Sequence, residues 1–533
     1  MELAAVILFL CACAASYAVQ TVTFAHMLQL NSYRPERFAK WRRDHFTDVI
    51  VAYRRLPPLA GAGVLLAFGL TGTIAPDSGI PAWLGPLLAA ALFALTAGLC
   101  FPRKAKKPLV CTARVKRLFV TAGGLFLLLA GGLLFSLRWL PLWPGAAALA
   151  LLLTPVWMWT ALANRLNQPI EKAVANRYIR DARRILAGRP DLIVVGITGS
   201  YGKTSAKNFL YALLGAKYNV LMTPESYNTT LGVVRTIREQ LQPHHEVFIV
   251  EMGAKNPGDI REICDLVHPR YGILTSIGEQ HLETFHTIDN IIRTKFELPD
   301  SLPPEGCAFL NYDNEYIRAH GFTGRAVTYG TAPQAQAGYT GALVSLGPEG
   351  CVFTVTDPSG ETQTFATRLL GAHNIQNLTG CIACAHTLGV PLADMAYPLR
   401  LLRPVAHRLQ LLPGGFIDDA YNSNPAGFRA ALDVLGGFPG LRVLVTPGMV
   451  ELGDRQEALN RELGAYAAGR CDYAILVGGK QAPPLQAGLA DAGFPRERVY
   501  VAGDLREALI HLDTLPAPQG RTVLLENDLP DNF

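Results

Sequence analysis

The sequence predicts an α/β protein joined to a helical membrane domain: five apolar spans, then a parallel sheet built around a glycine loop, then a second, doubly wound α/β unit. Three observations carry that expectation. Hydrophobic residues make up 50% of the 533-residue chain and concentrate before about residue 165 in long charge-free runs. Beyond that point, short apolar runs of strand length alternate with helical stretches, the pattern of a parallel sheet with crossover helices. The first of those strands leads into "GITGSYGKTS", residues 196–205, ahead of a helix.

The five runs are Leu3 to Leu30, Pro57 to Ala75, Pro81 to Phe101, Leu118 to Leu137 and Trp139 to Ala163. Each is near or above the roughly 18 to 20 residues that a helix needs to cross the hydrocarbon core. Arg34, Arg37, Lys40, Arg42 and Arg43 lie between the first two, and Arg103, Lys104, Lys106, Lys107, Arg114, Lys116 and Arg117 follow the third. The other connections, residues 76–79 and the turn near Arg138, are almost free of Lys and Arg. The positive-inside rule then puts the basic loops in the cytoplasm, the N-terminus outside and everything after residue 165 inside, in a multi-pass plasma-membrane protein. A cleaved signal peptide is disfavoured because only Glu2 follows Met1 where a basic region is needed. The formal charge of +5 is mostly that of the topogenic loops and makes no case for a nucleic-acid partner. Ten cysteines are scattered; Cys381 and Cys384 have metal or redox spacing, but "TGCIACAHTLGV" reads as a helix of small residues with no second pair. Buried structural cysteines are the expectation there.

From Asn164 to Leu186 apolar residues recur among arginines as on an amphipathic helix. "DLIVVGITGS" is next, a short apolar strand of the kind buried in parallel sheets. The loop after it departs from the common Gly-x4-Gly-Lys-Ser/Thr signature, since Ile197 stands where the first glycine belongs. Its physical logic is intact. Gly199 and Gly202 let backbone N–H groups of Thr198 to Ser205 turn around phosphate oxygens at a helix start. Lys203 can reach terminal phosphates, and the Thr204 hydroxyl can ligate magnesium. "HEVFIVEMGA" is a second strand ending in Glu251, a carboxylate placed to hold magnesium. A third, "YGILTSIGEQHLETF", precedes His281, and the helix "TIDNIIRTKFEL" leaves Lys295 polar in apolar company. Residues 325–370 suggest hairpins turning at "GPEG" and "DPSG". Past Arg403, "LRVLVTP", "YAILVGG", "RVYVAG" and "TVLLEN" alternate with helices, as in a Rossmann-like unit. The expected divisions are 1–165, 166–403 and 404–533.

The order of these pieces resembles the Mur ligase family, ATP-dependent amide ligases of cell-wall peptide synthesis. The family's phosphate loop is matched by Thr198 to Thr204, with Ile or Val where Ile197 stands. Further matches are "NTTLGV" (228–233), "EMGAKNPGDI" (251–260), "HLETF" (281–285) with "TKFEL" (294–298), and "LNYDNE" (310–315). "GAHNIQN" (371–377), "HRLQLL" (407–412), "DDAYNSNP" (418–425) and "GMVELG" (448–453) follow in family order. Several of these are most similar to members that add D-alanyl-D-alanine.

The resemblance implies a P-loop ATPase domain followed by a Rossmann-like domain, with ATP and two magnesium ions. Lys203 would contact the β and γ phosphates, Thr204 and Glu251 would hold one magnesium, and His281 would help hold the second. Lys295 matches a lysine that is carbamylated in several members. Asn311, His373, Asn374 and Asn377 would lie near the nucleotide, with Arg408, Asp419, Tyr421 and Asn422 closing over it. The implied chemistry is attack of a substrate carboxylate on the γ-phosphate, then displacement of phosphate from the acyl phosphate by an amine. Two departures stand out. In the family a domain that grips the UDP-sugar end of the substrate precedes the loop, whereas here apolar spans take its place and make a lipid-linked peptide precursor a candidate substrate. Gly448 also stands where the nearest members carry Asp, which bears on the amino-acid or dipeptide amine.

A transporter or signalling ATPase would account for the spans and the loop but not for the second α/β unit or the His281 and Lys295 constellation. A non-catalytic scaffold recruiting membrane cell-wall enzymes would be marked by loss of Lys203, Thr204 or Glu251, and all three are present. A polyglutamate-type synthetase shares the nucleotide chemistry and stays open at this stage.

Overall fold

The computed structural model describes residues 2–45, 56–74, 81, 83–100, 108–136, 142–225, 227–279, 282–347, 350–420, 424–450, 452–479 and 481–528. Contacts divide the chain into two compact units, one ending at Asn176 and the other beginning at Arg177.

The first unit is helical: α1 (Glu2–Leu30), α2 (Pro35–Asp44), α3 (Leu56–Ile74), α4 (Leu84–Leu99), α5 (Ala113–Ser136), α6 (Leu142–Leu153) and the start of α7 (Val156–Ala187). Phe9, Phe24, Leu65, Phe93 and Leu118 pack inside. Ser16, Gln20, Thr96 and Thr160 are buried with them, while Val120, Leu127 and Leu128 are exposed. Large apolar groups exposed side by side mark a surface for contact with lipid or with another protein.

Five spans are not what these helices provide. Among the described residues two helical stretches, Ala4–Leu30 and Ala113–Gly132, are long and apolar enough to cross a membrane. There are three if Ala146–Leu153 and Val156–Ala187, bent by 70°, form one broken span. The reasons are geometric. At 16 residues, α4 is about 24 Å long, short of the ~30 Å hydrocarbon core. The run from Trp139 to Ala163 is interrupted between α6 and α7 at Thr154 and Pro155, where proline lacks the N–H that would continue the helix.

The second unit contains two sheets. Strands β1 (Ile193–Thr198), β2 (Val220–Met222), β3 (Val247–Glu251), β4 (Tyr271–Leu274), β5 (Cys307–Asn311), β6 (Ala326–Gly330), β7 (Tyr339–Gly347), β8 (Gly350–Thr356) and β9 (Thr362–Thr367) form the first. Their order is β2–β3–β1–β4–β5–β6–β7–β8–β9. Pairing is parallel as far as β7 and antiparallel thereafter. The expected hairpins are β7–β8–β9, and they prolong this sheet. Every residue of β3 is buried, as a strand covered on both faces requires. Around the sheet lie α8 (Lys203–Leu214), α9 (Thr230–Gln240), α10 (Asp259–Val267), α11 (Leu282–Phe285), α12 (Ile288–Phe296), α13 (Glu315–His320), α14 (Ala372–Thr387) and α15 (Ala396–Leu401). Phe209, Leu210, Leu213 and Leu214 of α8 join Val195 and Ile197 of β1 in one core, and Val194 joins Val233, Ile237 and Ile260 in another. Because β1 sits between β3 and β4, the chain turns opposite ways on its two sides. That reversal opens a crevice at the carboxyl ends of the strands.

The second sheet comprises β10 (Gln410–Leu412), β11 (Phe416–Asp419), β12 (Leu441–Thr446), β13 (Tyr473–Val477), β14 (Val499–Ala502) and β15 (Arg521–Glu526). Its order is β10–β11–β15–β12–β13–β14, parallel except for β10. It packs with α16 (Pro425–Gly436), α17 (Gln456–Ala467), α18 (Ala482–Asp491) and α19 (Leu505–Thr514). The sequence reading found the last four strands and missed β10 and β11.

Candidate functional site

The glycine loop leaves β1 at the crevice. Thr198 donates from its hydroxyl to the Met252 carbonyl at 2.9 Å, tying the strand end to the end of β3. Gly199 and Gly202 have φ of 151° and 79°, and at neither is there room for a side chain. A Cβ on Gly199 would lie 2.1 Å from Thr275 Oγ1, and one on Gly202 2.7 Å from Asn377 Oδ1. The segment after β4 holds the loop: Ser200 N–H donates to the Ser276 carbonyl at 2.7 Å, Tyr201 N–H to Ser276 Oγ at 3.0 Å, and Ser200 Oγ to the Gly278 carbonyl at 3.1 Å. Asn311 fixes that segment in turn, donating to the Thr275 carbonyl at 2.6 Å.

Lys203 opens α8 and folds back, donating to the carbonyls of Gly199 at 2.6 Å and Ser200 at 3.0 Å. Burial pulls its ammonium down to about 8; Glu251 opposes that shift and Arg408 adds to it. Thr204 Oγ1 donates to Glu251 Oε1 at 3.1 Å, and Asn228 Nδ2 reaches the same oxygen at 3.1 Å. Glu251 Oε2 faces Lys207 Nζ at 3.0 Å, with both side chains 1% exposed. Lys207 also donates to the Glu225 carbonyl at 2.5 Å. Ser205 follows Thr204 in the first turn of α8.

These groups fit one magnesium ion. The Thr204 hydroxyl and the Glu251 carboxylate, which share a contact, form an all-oxygen set that magnesium accepts alongside substrate phosphates. The expected second ion rests on His281, which lies outside the described residues, as do Tyr421 and Asn422. Among the described residues no cluster of three or more His, Cys, Asp or Glu could hold a metal by itself.

Lys295, in α12, is buried. Burial and then the charge of Lys203 hold its amine well below the ordinary lysine range, against the pull of Glu297 and Asp259. His373 and Asn374 lie at the start of α14, behind Gly371. Burial, reinforced by Arg408, pushes His373 down to about 4, and its Nδ1 has no hydrogen-bond partner. Asn374 donates to the Leu370 carbonyl at 2.7 Å, while Asn377 meets Gly202.

Arg408 acts electrostatically on both Lys203 and His373, and so brings the segment before β10 to the loop. Its neighbours His407 and Leu409 have φ of 60° and 45°, an unusual conformation for branched or bulky residues. Asp419 sustains it by accepting from Leu409 N–H at 3.1 Å. Burial raises the Asp419 carboxyl to about 6, although Leu409 N–H and Arg408 both favour its ionised form. Asp419 is thus placed to set the conformation around Arg408.

Lys207, Asn228, Thr275 and Ser276 carry much of this geometry, and the sequence reading assigned them no role. Lys207 had a legible signal. It lies four residues after Lys203, hence one turn along the helix, and it adjoins the apolar face. Cys381 and Cys384 are buried in α14 as expected, and Cys381 donates to the Ala206 carbonyl at 3.3 Å.

Comparison with known proteins adds an independent line. The family model described as Mur ligase middle domain matches residues 197–385, and that described as Mur ligase, glutamate ligase domain matches 407–526. UDP-N-acetylmuramoyl-tripeptide–D-alanyl-D-alanine ligase of Bacillus subtilis is 32% identical over 279 residues, 51% of this chain and 59% of that protein. The enzyme of the same name from Synechocystis is 30% identical, over 57% of this chain and 68% of that one. The chain therefore spans less than two thirds of the Bacillus relative and slightly more of the Synechocystis one. In solved structures, MurF from Acinetobacter baumannii is similar with a TM-score of 0.60 and 27% identity, covering 66% of this chain and 77% of that one. MurF ligase from Thermotoga maritima in complex with ADP is similar with a TM-score of 0.58 and 25% identity, covering 66% and 80%. The glycine loop, the Glu251 strand and the second sheet all fall within the matched regions: the chain belongs to the Mur ligase family.

Proposed function

We propose that this chain is a membrane-anchored, ATP-dependent ligase that activates a carboxylate as an acyl phosphate and joins it to an amine. The reaction that its relatives' names favour is addition of D-alanyl-D-alanine to a muramoyl-peptide precursor of peptidoglycan. The observation that carries this reading is the convergence of Lys203, Thr204 and Glu251 at one crevice, with Arg408 brought to it from the second sheet. Residues 166–403 would bind the nucleotide, 404–533 would close over it, and 1–165 would anchor the chain with the ligase part in the cytoplasm.

Each residue's part follows from its surroundings. Loop N–H groups and the positive end of α8 hold phosphate oxygens. Lys203 exchanges its two carbonyl acceptors for phosphate oxygens as charge spreads over the transferring group. Thr204 and Glu251 would hold magnesium, which when bound neutralises phosphate charge. Arg408 adds positive charge on closure. Burial shifts Lys295 toward the neutral amine, the state that reacts with carbon dioxide, so a carbamate there would carry a negative charge toward the same centre. The substrate carboxylate is the nucleophile, and no side chain forms a covalent bond to substrate.

A lipid-linked precursor is the second reading, favoured by the outward-facing Val120, Leu127 and Leu128 of α5. ADP release by the full chain in detergent separates the possibilities. The substrate pairs are UDP-muramoyl tripeptide with D-alanyl-D-alanine, its lipid-linked counterpart with the same dipeptide, and glutamate with an acceptor of the polyglutamate type. Amide formation with the first pair is the expected result. Turnover with only the second or third would replace the named reaction, and no turnover with any pair would favour a non-catalytic scaffold for membrane cell-wall enzymes.

A further inference from the structure

A second cluster lies in the first unit, where the end of α1 meets α5 and α7. Ser32 and Tyr33 follow α1 with φ of 55° and 57°, a left-handed conformation that persists in such residues only when the surroundings enforce it. The enforcing contacts are present. Asn164 of α7 donates to the Tyr33 carbonyl at 3.0 Å, Gln29 donates to the Tyr33 hydroxyl at 3.3 Å, and the Arg114 guanidinium lies 3.8 Å from the ring centroid. Alongside, Arg117 grips Glu171 through two bonds of 2.7 and 2.8 Å, and Thr121 donates to Asn167 Oδ1 at 2.8 Å.

Two donors are left over in this arrangement. Arg114 Nε and Asn167 Nδ2 are buried without a hydrogen-bond partner, and Asn167 is only 6% exposed. A buried unsatisfied donor costs about 1–3 kcal/mol, more when charged. The carboxylate at hand, Glu171, is already engaged by Arg117. Glu171 balances charge in the cluster but gives both oxygens to Arg117, so Arg114 Nε and Asn167 Nδ2 are left without an oxygen acceptor from the chain. Leu166 and Ile170, beside Asn167 on α7, and Val120, beside Thr121 on α5, are exposed apolar side chains. Acyl chains would cover such a surface, whereas a free phosphate would not.

We propose that Arg114 and Asn167, framed by the Tyr33 turn, bind the phosphate headgroup of a membrane lipid. This rests on the membrane placement proposed above, and vesicle flotation reads that placement separately. A chain that fails to float with vesicles overturns the placement; a chain that floats without phosphate preference overturns only this site.

The test is retention of dioleoyl phosphatidic acid against dioleoyl phosphatidylcholine by the full chain, read by native mass spectrometry. Wild type should retain phosphatidic acid preferentially. Arg114→Met and Asn167→Leu should each weaken that retention about tenfold, the loss expected for one hydrogen bond to a charged group. Asn167→Asp, nearly isosteric, should abolish the preference by placing a carboxylate against the phosphate, and it serves where the larger changes disturb folding. Equal retention by Asn167→Asp and wild type overturns the proposal. Displacement by soluble glycerol phosphate at equal concentration also overturns it, by assigning the site to a free phosphate.

Discussion

Lys207 Nζ lies 3.0 Å from Glu251 Oε2 in a place closed to solvent, so the carboxylate that faces Thr204 is also half of a buried ion pair. Breaking such a pair from one side leaves a bare charge in low dielectric and costs about 3–5 kcal/mol. Glu251→Gln and Lys207→Met are each expected to destabilise the ligase unit by that order in chemical denaturation. The double variant should recover most of the loss. Because magnesium can replace the lost positive charge in Lys207→Met, Mg-ATP should raise the melting temperature of that variant more than it raises wild type's. Equal shifts would argue that Glu251 does not face the ion.

Lys203→Ala should abolish ADP formation with every acceptor; retained turnover would sink the phosphate site. Protonated Lys203 is the form that attracts phosphate, and its folded value is about 8, against an ordinary 10.5. Nucleotide affinity of the free enzyme is therefore expected to fall as pH rises through about 8. Between about 8 and 10.5 the unfolded chain holds more of this proton than the folded one, so this group's contribution to stability rises with pH over that window. Nucleotide titrations from pH 7 to 9.5 that stay flat would contradict the assignment.

Acid should act on the site through His373. Its folded value of about 4 lies below its ordinary 6.5, so acidification from 6.5 toward 4 protonates the unfolded chain first and drains stability. Near pH 7 both forms are neutral and the effect vanishes. His373→Gln should flatten the melting-temperature profile over that acidic window, and an unchanged slope would place the acid sensitivity elsewhere.

Burial shifts Lys295 toward the neutral amine that carbamylation needs. Stripping carbon dioxide and bicarbonate from the assay should lower ADP release, and restoring bicarbonate should recover it. Labelled bicarbonate should give a carbamate carbon signal that disappears in Lys295→Arg. Turnover indifferent to bicarbonate would rule the modification out.

Gly448 has φ of 79°, and a Cβ there would lie 2.6 Å from Gln481 Cβ. Asn460 holds the following residue, accepting from Met449 N–H at 2.9 Å and donating to its carbonyl at 3.0 Å. Gly448→Asp should cost about 1–3 kcal/mol through backbone strain. Loss of soluble, folded protein or a lowered denaturation midpoint would show it.

The apolar runs ending in Thr198, Glu251 and Leu274 were legible as strands because burial on both faces leaves an unmistakable composition. The glycine loop was legible because its spacing is chemical. Span number was less so: hydropathy reads "AAALALLLTPVWMW" as continuous, while Pro155 breaks the helix and leaves a bend. The partner of Glu251 was missed because pairing between α8 and β3 is a tertiary fact: the spacing of Lys207 from Lys203 marks its place on the helix but not what it faces. Strands β10 and β11 are three and four residues long, too short for alternation to stand out.

Lys203 begins with its hydrogen bonds already made, to two neutral oxygens of its own loop. Capturing a nucleotide is then an exchange rather than a gain, and an uncharged ligand has little to offer in the trade. Discrimination at this loop should follow how negative the incoming oxygens are: ATP over ADP, and either over a nucleoside that fits the same crevice equally well.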